Sequence, residues 1–140
     1  LTEEQMQVQA AARDFAEKRL LPEVIERDET QRFPWDEIQE MAQLGFMGIM
    51  TDTAYGGAGM DTLSYVVALE EISKVDASAG VCMSVNNSLY CWGLEKYGTE
   101  TQKQKYLTPA AKGDVLGAFA LSEPEAGSDA TSQHTTAEDK

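Results

Sequence analysis

Residues 77 to 94 carry no charged side chain, in a chain where 25% of residues are Asp, Glu, Lys or Arg. An uncharged run of that length is either a membrane span or the central helix of a globular core. Ser78, Ser84, Asn86, Asn87, Ser88 and two glycines interrupt it, and unpaired amides and hydroxyls are expensive in hydrocarbon. The run therefore predicts a helix buried on most sides. Val81, Met83, Val85, Leu89 and Tyr90 alternate in it with Ser84, Asn86 and Asn87. That mixture suits the wall of a pocket, and equally a core helix whose amides are satisfied internally.

A buried helix needs a core around it. The 140 residues, 42% of them hydrophobic, suffice for one domain, or for one domain and a piece of another. The net charge of −13 repels phosphate backbones and anionic lipid heads. Neither a nucleic-acid partner nor a membrane role is expected. Cys82 and Cys91 lie nine residues apart in the uncharged run, on opposite faces of a regular helix, so they do not pair there. With His134 as the single histidine, no Cys/His zinc site can be assembled, and no metal is expected. Reduced thiols fit a bacterial cytoplasm or, alternatively, a mitochondrial matrix. The acidic opening Leu1-Thr2-Glu3-Glu4 does not read as a targeting segment.

Helix signals fill the chain up to Gly113. Thr2 and Gln5 have capping-box spacing, and Val8, Ala11, Ala12 and Phe15 form one apolar stripe. Pro22 breaks or restarts this helix, and residues 27–32 read as a polar connector. Another helix starts near Pro34-Trp35-Asp36, turns Ile38, Met41 and Ala42 inward and stops at Gly45. Phe46 to Met50 read as a buried crossing. Tyr55-Gly56-Gly57-Ala58-Gly59 marks a tight turn rather than a phosphate cradle, since no GK[ST] follows it. Asp61 then caps a helix running to about Lys74. Gly98 ends the uncharged helix, and Thr99 with Gln102 forms a second capping box.

The character changes at Gly113. Val115 to Leu121 read as a buried strand, Ser122 to Asp129 as a loop of turn formers, and Ser132 to Ala137 as a weak second strand. One or two strands are too few for a stable sheet. The expected organisation is a helical domain over 1–113 and the start of a β domain over 114–140. A strand ending in hydroxyls and free N–H groups suits the acceptor edge of a planar heterocycle, though an ordinary surface turn has the same composition. Glu123, Glu125 and Asp129, crowded in a polar loop, read as solvated charges rather than an acid–base pair.

Ala120-Leu121-Ser122-Glu123-Pro124-Glu125-Ala126-Gly127-Ser128-Asp129 resembles the signature of the acyl-CoA dehydrogenase family at every constrained position; Glu125 falls at a variable one. The glycine turn at 55–59, Glu70-Glu71-Ile72-Ser73, and the stretch from Tyr97-Gly98-Thr99-Glu100 to Gln104-Lys105-Tyr106-Leu107 resemble that family in the same order. Met83 to Tyr90 is most similar to its short-chain, butyryl-type members. The resemblance implies a mainly α fold: the N-terminal helical domain of the acyl-CoA dehydrogenases, followed by the first strands of a middle β domain. It implies FAD-dependent oxidation of an acyl-CoA to the trans-2-enoyl-CoA, with electrons passed to an electron-transferring flavoprotein, in a homotetramer. By the resemblance, Phe119, Leu121, Ser122, Gly127 and Ser128 approach the flavin. Ser128 also lies near the substrate, as do Met83, Asn86 and Tyr90 on the helix bordering the acyl pocket. The catalytic base is expected beyond Lys140, so no glutamate of this chain is assigned that role. The competing readings are a non-catalytic helical scaffold and an oxygen-using acyl-CoA oxidase relative.

Overall fold

The computed structural model describes residues 1–138, and among them no strand forms. Helix α1 (Glu3–Phe15) begins at the expected box: Thr2 accepts from the Gln5 N–H, and the Gln5 side chain accepts from the Thr2 N–H. It continues through a π-helical turn over Ala16–Leu20 and a single 3₁₀ turn that contains Pro22, so the helical path changes its hydrogen-bond register at the proline without ending there. Helix α2 (Val24–Thr30) follows, so the expected connector at 27–32 is largely helical. Its reason is Arg27, which lies inside the protein rather than in solvent. Only 4% exposed, Arg27 donates to Glu37, Asp76 and the Leu20 carbonyl at 2.8–2.9 Å.

Helix α3 (Trp35–Gln43) stops at Gly45, as expected, and buries Ile38 and Met41. Phe46, Met47 and Ile49 cross through the core. Helix α4 (Thr62–Val75) is capped by Asp61, whose second carboxylate oxygen accepts from Gln5 at 2.8 Å. One aspartate thus joins the starts of α1 and α4, which pack together. Helix α5 (Ala77–Ser84) starts on Asp76, the residue that also receives Arg27.

The uncharged run continues through a π-helical stretch, Val85–Cys91, into α6 (Trp92–Tyr97). Its inner face carries Ala79, Met83, Asn86, Asn87 and Cys91. Burial on most sides is corrected to burial on one side, because Val81, Leu89 and Trp92 stay exposed along the other. Helix α7 (Glu100–Gln102) opens on the Thr99–Gln102 box, passes a π-helical turn at Lys103–Leu107 and reaches α8 (Thr108–Lys112). Gly113 ends α8 at φ 78°, and a Cβ there would sit 2.1 Å from the Ala42 Cβ, so only glycine fits.

The strands expected at Val115–Leu121 and Ser132–Ala137 are also corrected. Both segments run without ladder partners, apart from a 3₁₀ turn at Ala130–Ser132. A strand is defined by a neighbour that takes its backbone hydrogen bonds, and the helical body offers none. Asp139 and Lys140, at the end of the expected second region, lie outside the described residues.

Candidate functional site

Beyond α8 the chain is fixed step by step. The Asp114 N–H donates to Pro109 O at 2.9 Å, and Gln39 donates to Gly113 O at 2.9 Å. Leu116 packs on the main core. The buried N–H of Gly117 donates to Asn86 Oδ1 at 2.8 Å. Past that point attachment ceases. Phe119 is 53% exposed, Leu121 and Ser122 are exposed too, and among the described residues the N–H groups of Ala118 to Ser122 find no acceptor.

The loop that follows is self-braced. Glu123 and Ala126 exchange both backbone hydrogen bonds, at 2.9 and 3.2 Å, and Ala126 is buried. The Glu123 carboxylate accepts from the His134 and Thr135 N–H groups at 2.7 and 3.2 Å. Asp129 accepts from Thr131 and Ser132. These bonds hold both carboxyls below the usual carboxylate range, for Glu123 through Thr135 first and for Asp129 through Thr131 first. Both carboxylates therefore lash the loop, a role beyond the solvated charge expected of them. Gln133 closes it by donating to Leu121 O at 2.6 Å. Gly127 and Ser128 are exposed at its far side, and a Cβ on Gly127 would meet nothing within 4 Å.

The helix residues assigned to the substrate lie at different depths. Met83 and Asn86 are fully buried and Tyr90 is half-buried. Asn86 Nδ2 donates to Met47 O at 2.7 Å and to Ala110 O at 3.1 Å, while its Oδ1 holds Gly117. Asn87 makes a parallel set, accepting from the Ile49 N–H and donating to Phe46 O and Met83 O. Tyr90 lies against Gly117, where an added Cβ would come within 2.3 Å of Tyr90 Cγ. The structure thus brings Asn86 and Tyr90 together at Gly117, two residues before Phe119. Among the described residues no hydrogen bond joins Ser122 or Ser128 to this helix. Gly117 escaped the sequence reading, and Asn87, read as pocket wall or satisfied core amide, proves to be the latter. The signal for Gly117 was a lone glycine inside an apolar run, which often marks close approach by another group. Cys91 is buried with its thiol pushed up to about 12 by desolvation, so it stays protonated and inert. Cys82 is a separate free thiol, and among the described residues no metal-holding cluster exists.

Residues 2–114 match the family described as the acyl-CoA dehydrogenase N-terminal domain. The chain belongs to the acyl-CoA dehydrogenase family. It is 49% identical over 137 residues to a short-chain specific acyl-CoA dehydrogenase of Clostridium acetobutylicum, a match covering 98% of this chain and 36% of that protein. It is 47% identical to the mitochondrial short-chain specific enzyme of Bos taurus, covering 98% of this chain and 33% of that one. Butyryl-CoA dehydrogenase from Megasphaera elsdenii superposes with a TM-score of 0.89 at 42% identity, over 96% of this chain and 36% of that structure. A structure reported for the electron transferring flavoprotein of Acidaminococcus fermentans contains a chain that superposes with a TM-score of 0.93 at 48% identity, covering 97% and 36%. The chain thus spans about a third of the length of the relatives it matches. Those relatives include bacterial and mitochondrial acyl-CoA dehydrogenases, and no described helix here is long and apolar enough to cross a membrane.

Proposed function

We propose that this chain is the front part of an FAD-dependent short-chain acyl-CoA dehydrogenase, with residues 1–113 as its helical domain and 114–140 opening the next. The observation that carries the reading is the match of residues 2–114 to the family's N-terminal domain together with the likeness to short-chain relatives. The exposed Ala118–Ser122 segment, which carries Phe119 and Leu121 and leads into the signature loop, has the hydroxyl and apolar surface that would suit the edge and face of an isoalloxazine ring. A flavin bound there supplies the hydride acceptor for oxidation of the acyl-CoA Cα–Cβ bond to the trans-2-enoyl thioester.

The roles of this chain are to bind and to shield. Backbone N–H groups of this segment and the Ser122 hydroxyl would hold the ring edge, where donors of that kind favour the reduced, more negative form of a flavin. Phe119 and Leu121 exclude water from the ring face. Gly127 leaves room beside the ring, and Ser128 presents a hydroxyl toward the acyl thioester. Tyr90, backed by Met83 and Asn86, borders the acyl chain. Proton abstraction is assigned, as the family resemblance implies, to a base beyond Lys140, and Glu123 and Asp129 serve to brace the loop. Transfer to an electron-transferring flavoprotein and assembly as a homotetramer complete the reading. A bacterial cytoplasm, or alternatively a mitochondrial matrix, is the compartment proposed.

The short-chain assignment rests on likeness to the short-chain relatives, and the large, half-buried side chain of Tyr90 supports it. Each methylene that fits gains about 0.8 kcal/mol of burial, whereas overpacking costs about 1–3 kcal/mol. Measuring kcat/KM of the full-length, yellow flavoprotein on four-, six- and eight-carbon acyl-CoA substrates tests this. The profile should peak at four carbons. An eight-carbon optimum contradicts the substrate class, and a colourless protein contradicts the flavin.

A further inference from the structure

The last point at which the helical body holds the chain before the flavin segment is a single side chain. We propose that Asn86 is a positioning residue for the flavin edge, acting through the Gly117 N–H. The inference rests on the flavin reading above and adds to it the part that sets where the edge stands.

The amide of Asn86 is doubly pinned on its donor side. Nδ2 reaches Met47 O on the core crossing and Ala110 O on α8, and the residue has no solvent exposure. Two carbonyls facing one end and an N–H facing the other fix which atom is nitrogen and which is oxygen. With the plane unable to rotate, Oδ1 has one direction left, and Gly117 lies in it at 2.8 Å. A side chain locked by its own hydrogen bonds is how a site is held to within fractions of an ångström.

Tyr90 supplies the second half of the clamp. Its Cγ and Cβ would stand 2.3 and 2.6 Å from any Cβ at residue 117, so the backbone lies directly on the side chain. Hydrogen bond and ring together fix the height of Gly117 over the helix. From there to Ser122 the chain runs five residues, at most about 17 Å when extended, and among the described residues its one further backbone hydrogen bond is within the tail, from Gln133 to Leu121 O. Gly117 is thus the last hydrogen-bonded anchor on the helical body before Phe119, Leu121 and Ser122. Asn87, one residue along, shows the contrast: its bonds go to Ile49, Phe46 and Met83, all inside the helical body, so it braces the fold without touching this segment.

The test uses the full-length protein and reads flavin rather than turnover. Asn86→Ala should raise the flavin dissociation constant by about tenfold or more and shift the visible flavin bands, since a lost buried partner leaves the Gly117 N–H and the Met47 carbonyl without it, while Ala110 O keeps the Gly113 N–H. Asn87→Ala should weaken the fold at least as much while leaving the flavin bands in place. Gly117→Ala should reproduce the Asn86→Ala spectrum. Normal flavin binding and normal bands in folded Asn86→Ala overturn the proposal and leave the flavin reading intact. A full-length unsubstituted protein that neither carries nor takes up flavin overturns both.

Discussion

The helical body and the tail after Gly113 both contain runs of apolar residues, yet they meet opposite fates. In α4 and α5, Ile72, Ala79 and Met83 are fully buried, because α1, α3 and α4 supply the facing surfaces. In the tail, Phe119 and Leu121 are exposed and their backbone N–H groups are free. A helix satisfies its own backbone and needs a neighbour only for side chains. An extended segment needs a neighbour for both. The body therefore satisfies its backbone even where side chains such as Val81 and Trp92 stay exposed, whereas the tail, among the described residues, leaves the N–H groups of Phe119 and Leu121 without partners and their side chains exposed as well.

The sharpest way to break this contrast is to break the body. Arg27→Ala leaves Asp76 buried without its cation and Glu37 with only Arg32 at 3.6 Å, and removing one partner of a buried ion pair costs about 3–5 kcal/mol. Urea unfolding followed by circular dichroism should show that loss. Asn87→Ala comes next, at about 1–3 kcal/mol, because the Ile49 N–H and the Phe46 carbonyl lose a buried partner. The same denaturation measurement checks it.

Acid should act on the body through Glu71. The Arg13 guanidinium, which donates to it at 2.9 and 3.1 Å, lowers its carboxyl from the ordinary 4.5 to about 2 despite burial. A depressed folded-state pKa stabilises fully above the unfolded value and is lost as the pH falls through the folded one. The urea midpoint should therefore drop between pH 4.5 and about 2, and Glu71→Gln should flatten that part of the profile. Exposed Arg13 keeps the pair partly screened, so this effect is smaller than the loss of Arg27. Smallest of all is Ser122→Ala, which should leave body stability within about 0.5 kcal/mol. In the full-length flavoprotein the same change should weaken flavin binding by about 1–3 kcal/mol, and Glu125→Ala should not. Equal flavin losses in both variants would remove Ser122 from the site.

Much of the body was legible in the sequence, because helix ends are written locally. Thr2 with Gln5, Asp61, and Thr99 with Gln102 make in the structure the cap bonds their spacing implied. The π-helical turns were not legible, since a shift in hydrogen-bond register leaves no residue pattern behind. Arg27 read as part of a polar connector because its partner Asp76 lies 49 residues away. The tail loop was recognisable by its residues alone, but its link to Asn86 spans 31 positions and joins a helix to a segment read as a strand. Local signals state where an element begins. They do not state which buried amide will hold another element's backbone.

Amide hydrogen exchange on the full-length protein, with FAD bound and with FAD stripped, tests the central claim most directly. Protection in α4 should be high in both states. The amides of Ala118 to Ser122 should exchange more slowly with FAD than without it. Equal exchange of that segment in the two states would contradict its assignment as the flavin edge.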